Sequence, residues 1–222
     1  MVKYTILFIF YPKGYDFMSR EKFFLEKIKT LSDFHMPRYN DLPELELYMD
    51  QVISVTDKYL GAVFATGDTV LTPSMINNYV KNRVIPPPEK KKYNRGHMAK
   101  LLVICILKPS MEISAISDII ERSEKLYGTQ KMFDTFAEMY ENRLSALAGE
   151  IGAQLKKTGN TEEAFCAIAT ENALKSGCEK IISGYAYSVV KKEEAEEKPE
   201  KEKKEKTEKK KEKAKDKAKT EE

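Results

Sequence analysis

The 222-residue chain has no tryptophan, two histidines and three cysteines. His35 and His97 stand far apart, and no GxGxxG, P-loop, GxSxG or paired metal-ligand spacing accompanies them. The sequence therefore reads as a non-enzyme, with no catalytic residue, no metal site and no cofactor. Cys105, Cys166 and Cys178 are widely spaced and lack a CxxC, which excludes a disulfide framework. Each sits in an apolar pattern, so all three are expected as reduced core thiols, which suggests the cytoplasm. No apolar run reaches the roughly 18 residues of a membrane span, so no membrane partner is expected.

Apolar residues make up 41% of the chain. Residues 191–222 lower that figure, for they hold 14 Lys and 12 Asp or Glu among 32 positions. Such a Lys/Glu-rich tail cannot form a core and is expected to be disordered, or at most a transient, fully solvated helix. The tail carries +2 of the chain's net +3, which leaves +1 for the rest. That remainder is uneven. Residues 70–110 contain eight basic residues and one acid, Glu89, for a net +7. One basic segment in a near-neutral body points to a localised anionic partner.

The first eleven residues include YTILFIFY, which is too short for a span and lacks a signal-peptide cleavage site. Two readings apply. Lys13-Gly14 can be encoded by a purine run resembling a bacterial ribosome-binding site, with Met18 at a suitable distance. Residues 1–17 would then not be made in the cell. Otherwise they form an N-terminal β-strand.

Helical signals dominate the remainder, so the fold is expected to be mainly α. Residues 40–60 read as an amphipathic helix with Asp41 as N-cap and Pro43 in its first turn. Residues 61–70 form a connector in which Gly67-Asp68 can turn a small hairpin. Thr72-Pro73 then starts a second helix. At 100° per residue, Ser74, Asn77, Asn78 and Lys81 share an arc of about 100°, while Met75, Ile76, Tyr79 and Val80 lie opposite. Pro86-Pro87-Pro88 ends regular structure, and EKKKYNR reads as a short basic turn or ribbon. An apolar helix follows over 96–108 and an amphipathic one over 112–127. Residues 129–157 and 161–190 predict two long helices in an antiparallel pair. Their seam suits dimerisation as well as packing within the chain.

Helix, connector, amide-faced helix, basic ribbon and apolar helix follow the order of a winged helix-turn-helix. Asparagine amides can pair with adenine N6 and N7, and lysines neutralise phosphates. A helix N-terminus at Thr72 can also meet a phosphate. The candidate DNA-binding residues are Thr72, Ser74, Asn77, Asn78, Lys81, Lys90, Lys91, Lys92, Tyr93 and Arg95. Tyr79 suits the core better than a phosphate. Tyr93 fits packing and DNA contact equally, and His97 reads as a local cap or a surface residue.

Residues 71–86, LTPSMINNYVKNRVIP, resemble the second-helix motif of MerR-type regulators. Leu71, Thr72, Ile76, Tyr79, Val84, Ile85 and Pro86 fall at matching positions. Lys91 and Tyr93 match that family's wing, and Met98, Leu101 and Ile104 its next helix. Three positions depart: Asn77 stands at the family's arginine, Arg83 at its glycine, and His97 at the acid that starts the wing helix. A closer resemblance is to an uncharacterised bacterial family, DUF1836, through MPRY, LP and YMDQV within 36–53, MINNYVK at 75–81 and PPPEKKKY at 86–93. That likeness runs over about 36–125 and implies a MerR-like DNA-binding fold.

The expected organisation is an N-terminal extension (1–35), a MerR-like winged helix-turn-helix domain (36–127), and a helical hairpin or bundle for dimerisation or effector binding (128–190). The disordered charged tail (191–222) completes it. The expected function is sequence-specific binding of double-stranded DNA by a homodimeric transcriptional regulator, with an unknown effector or protein partner. The alternative is an adaptor that turns its basic face to an acidic protein. RNA binding fits less well, because no aromatic stacking surface adjoins the basic residues.

Overall fold

A computed structural model describes residues 17–64 and 69–218 of the chain. The expectations for residues 1–16 and for the Gly67-Asp68 turn lie outside the described residues. Seven α-helices account for most of the described chain. They are α1 (Phe17–Ser32), α2 (Met49–Leu60), α3 (Pro73–Lys81), α4 (Arg95–Leu107), α5 (Ile113–Tyr127), α6 (Thr129–Thr158) and α7 (Glu162–Ala218). A 3-10 turn spans Tyr39–Asp41. Among the described residues there is no strand, and pairing is limited to the isolated antiparallel bridges Leu47–Tyr93 and Glu89–Lys92. The architecture is mainly α, and no helix among the described residues is long and apolar enough to cross a membrane.

Contacts divide the chain into Met1–Glu171 and Asn172–Glu222. The first unit is organised around α4. Apart from half-buried Lys100, residues 97–105 of that helix are all buried, with Leu101, Leu102, Ile104 and Cys105 at 0% exposure. A helix that is apolar all round must be enclosed by several elements. Here α2, α5 and α6 pack on it. The core continues past residue 127, because Met132, Phe133 and Ala137 of α6 belong to the same cluster as α4.

The helix expected over 40–60 begins later, at Met49. Upstream, Leu47 commits its backbone to Tyr93, with N···O distances of 2.9 and 2.8 Å. Those two bonds are incompatible with a helical ladder through the same residue. Asp41 closes the 3-10 turn instead of capping α2. At the true start of α2, Gln51 Oε1 accepts from the Tyr48 N–H at 2.9 Å.

The MPRY stretch (36–39) is pinned to α6. Arg38 donates both arms of its guanidinium to Glu141, at 3.0 and 2.7 Å, and the Met36 N–H donates to the same carboxylate at 2.7 Å. One helical stretch earlier in α6, Asp134 Oδ1 accepts from the Tyr39 N–H at 2.6 Å. The Arg38 hydrogen bonds hold the Glu141 carboxyl below its ordinary pKa, against a smaller opposing effect of burial.

The expected α6–α7 hairpin turns at Gly159 (φ 74°), and Thr161 Oγ1 caps α7 by accepting from the Ala164 N–H at 3.2 Å. Ile151 and Leu155 of α6 pack with Ile168 of α7, and Phe24 and Ile28 of α1 close this second cluster. Cys105 is a buried thiol as expected, and burial pushes its pKa up to about 11. Cys166 and Cys178 are exposed, contrary to expectation. Cys166 lies between the buried Ala164 and Ile168 of α7, and Cys178 lies beyond them, where no described side chain of α7 is buried. In the charged tail, α7 is described as far as Ala218.

Candidate nucleic-acid interface

The sequence of α3 places its two faces as the helical angles predict. Thr72 is the N-cap, with Oγ1 accepting from the Met75 N–H at 3.2 Å, and Pro73 sits in the first turn where its missing N–H has no consequence. Ile76 and Tyr79 are buried, and Met75 and Val80 are half-buried against the core. Ser74, Asn77, Asn78 and Lys81 are all exposed. Within that face Asn82 Nδ2 donates to Asn78 Oδ1 at 2.8 Å. The Asn78 carbonyl is thereby engaged, which leaves Asn77 better placed for bidentate pairing with an adenine.

Helix α3 ends in a Schellman arrangement. The Arg83 N–H donates to the Val80 carbonyl at 3.0 Å and the Val84 N–H to Tyr79 at 2.9 Å. The residue that must turn left-handed in this motif is Arg83, with φ 58°. Glycine is the usual occupant, since a side chain there costs about 1 kcal/mol or more. Four residues of connection (Val84 to Pro87) follow, with Val84 and Ile85 buried and the Pro86 carbonyl 3.1 Å from His97 Nε2.

The basic ribbon is a single tight turn. Lys92 N–H donates to the Glu89 carbonyl at 2.7 Å, and the two central residues, Lys90 and Lys91, have φ 46° and 65°. Positive φ at both centres is the type I′ pattern, which favours Asn-Gly. Arg83, Lys90 and Lys91 are the three non-glycine residues with positive φ among the described residues, and all three are basic and exposed.

The other basic residues of this segment are turned elsewhere. Lys92 lies over the Tyr48 ring, 5.5 Å from its centroid. Half-buried Arg95 lies over Tyr39 at 5.7 Å, with its Nε buried and without a hydrogen-bond partner. It is therefore not part of an open clamp. Lys100 pairs with Glu124 at 2.7 Å, and Lys108 reaches the Val70 carbonyl at 3.4 Å. Tyr93 is also withdrawn from the expected contact set. It is 2% exposed, its backbone pairs with Leu47, and its ring stands edge-on to His97 at 5.5 Å. The exposed set is thus the polar face of α3, Arg83, Lys90 and Lys91.

Asn94 is the N-cap of α4 and His97 completes its capping box, and the sequence signal for this was the place of His97 three residues after Asn94. Asn94 Oδ1 accepts from the His97 N–H at 3.1 Å, and His97 Nδ1 accepts from the Asn94 N–H at 3.1 Å. This is a capping box in which imidazole replaces the usual Glu or Gln. Nδ1 also lies 2.8 Å from Asn94 Oδ1; in the tautomer with Nδ1 accepting from the Asn94 N–H, the proton sits on Nε2 and faces the Pro86 carbonyl. Burial lowers the His97 pKa below its ordinary value, which keeps the ring neutral, although the Pro86 bond acts in the opposite sense. Among the described residues no cluster of three or more His, Cys, Asp or Glu could hold a metal ion.

The fold and this surface define a mainly α protein with a compact basic and amide-bearing exterior. Residues 37–143 match the family described as Domain of unknown function (DUF1836), so that domain covers α2 to α5 and the first half of α6. The match runs past the likeness read from sequence to about 125 and takes in Asp134 and Glu141, which bond the MPRY stretch. No curated protein and no solved structure matches the chain.

Proposed function

We propose that the chain is a cytoplasmic, sequence-specific binder of double-stranded DNA that regulates transcription. Its contact surface would be the amide face of α3 together with Arg83, Lys90 and Lys91. One observation carries the reading: three basic side chains occupy left-handed backbone positions where glycine would fold at lower cost. Strain kept at exposed charged residues is characteristic of a binding surface. A MerR-like winged helix-turn-helix is the finer fold reading. The order α2, α3, tight basic turn and α4 supports it, as does Arg83, which takes the left-handed backbone at that motif's glycine position.

The test is fluorescence anisotropy with duplex DNA across a salt series. Lys81, Arg83, Lys90 and Lys91 on four phosphates predict a slope of log K against log salt near −3.6 per chain. That corresponds to about 100-fold weaker binding at 200 mM than at 50 mM. Removing any one lysine should lower the slope by about 1 for every sequence, whereas Asn77→Ala should relax sequence preference. Salt-independent or absent DNA binding, with an acidic protein held instead, would replace this reading with the adaptor.

A further inference from the structure

Within Asn172–Glu222, α7 presents an exposed apolar stripe. Leu174, Ile181, Ile182, Tyr185 and Val189 retain 66, 56, 65, 68 and 62% of their surface. Single exposed apolar residues need no explanation. Five large ones in a line over sixteen residues are a different matter, because monomers rarely keep such a surface open.

The spacing identifies the geometry that would cover it. Residues 174, 178, 181, 185 and 188 are separated alternately by four and three positions, which is the 3.5-residue repeat of a coiled coil. Leu174, Ile181 and Ser188 then occupy d, and Cys178 and Tyr185 occupy a. Ile182 and Val189 fall at e, and Gly177 and Gly184 fall at g. In a parallel pair, each g residue faces the e residue five positions later on the partner. Gly177 would face Ile182 of a second copy, and Gly184 would face Val189. Both contacts set an absent side chain against a branched one. Antiparallel pairing would set glycine against glycine and branched residue against branched residue.

The glycines support the same conclusion. In a helix interior each costs about 1 kcal/mol relative to alanine. A Cβ built at Gly177 or at Gly184 meets nothing within 4 Å, so packing within the chain does not require either glycine.

We propose that residues 174–189 of α7 form a parallel two-stranded coiled coil with a second copy of this chain. A second copy is the occupant because the small and the branched rows lie on the same helix. A twofold axis along the pair brings each row onto its complement. Covering the five exposed side chains on both copies removes on the order of 1,000 Å² from water, enough for a specific interface. The adjoining Lys/Glu stretch, with 14 Lys against 12 acids, places no large like charge beside the seam. The seam is independent of DNA binding, and either reading can fail alone.

The test uses the full chain carrying Cys166→Ser, which leaves Cys178 as the exposed thiol among the described residues. Under reducing conditions, sedimentation equilibrium should give a dimer. Mild oxidation should then link the two Cys178 residues, since facing a positions lie within disulfide range. Ile181→Asp with Ile182→Asp should weaken association tenfold or more, with the thermal transition of the α4-centred core unchanged. Gly177→Leu with Gly184→Leu favours helix in a monomer but fills the space opposite Ile182 and Val189, so it too should weaken the dimer. A monomeric chain overturns the proposal. So does a dimer that forms no Cys178 link, or one that the leucine pair tightens.

Discussion

Helix α4 and residues 174–189 of α7 are both rich in apolar side chains, yet they end in opposite surroundings. In α4, Leu101, Leu102 and Ile104 are 0% exposed; in α7, Ile181, Ile182 and Tyr185 remain 56 to 68% exposed. The difference lies in how the apolar residues are distributed around each helix. In α4 they cover the whole circumference, so several helices must surround it. In α7 they form one stripe flanked by Lys, Glu, Ser and Gly, and a single partner helix is enough to cover it.

Truncation should separate the two regions most sharply. Leu102→Ala removes a fully buried side chain and should cost about 2–5 kcal/mol, read as a large drop in the urea midpoint. Ile181→Ala should leave the urea transition of the α4-centred core within about 0.5 kcal/mol and alter only self-association. An equal loss from both would mean that the stripe is buried in solution within the single chain.

The next largest effect belongs to Glu141, which fastens the MPRY stretch over the core. Glu141→Ala leaves the Met36 N–H without its acceptor and removes the ion pair to the solvent-accessible Arg38, and should cost about 1–2 kcal/mol in chemical denaturation. The same carboxylate sets an acid limit. Its folded pKa is depressed, so its contribution is complete above the unfolded value of 4.5 and is lost as pH falls through the lower folded value.

Much of this was legible in the sequence, and the misses have physical causes. The two faces of α3 follow from angles alone, because a short capped helix with one apolar arc has one way to lie on a core. The burial of α4 followed from its lack of any polar face. The late start of α2 was hidden because Leu45, Tyr48 and Met49 keep helical spacing, while the bridge to Tyr93, 46 positions away, removes Leu47 from the helix. Tyr93 and Arg95 were read as contacts because a Lys-Lys-Lys-Tyr-Asn-Arg run looks uniformly outward. A tight turn instead points Lys90 and Lys91 out and returns the next residues to the core. Glu141 was missed because nothing local distinguishes it from other acids on α6; its partner is 103 residues away.

A smaller effect, opposite in sign, tests the exterior. Lys91→Gly and Arg83→Gly each replace a left-handed residue by the one suited to that backbone, and each should stabilise the fold by about 1 kcal/mol. The same substitutions should weaken DNA binding at low salt. Greater stability with undiminished DNA binding would separate these residues from the proposed contact surface.

The smallest expected effect is at the start of α4, and it sharpens the contrast with α7 because this helix begins inside the protein. His97 must stay neutral for Nδ1 to accept from Asn94 and for the buried ring to fit. Its folded pKa lies below the ordinary 6.5, so between those two values the unfolded chain binds more protons. Stability is therefore complete above about pH 6.5 and declines as the pH falls toward the folded value. Denaturant midpoints at pH 7.5 and 5.5 read this slope, in a window above the one Glu141 governs. His97→Gln keeps a capping acceptor at the same position without a titrating ring, so the slope between those two pH values should flatten. A slope that survives the glutamine would assign the pH dependence to another group.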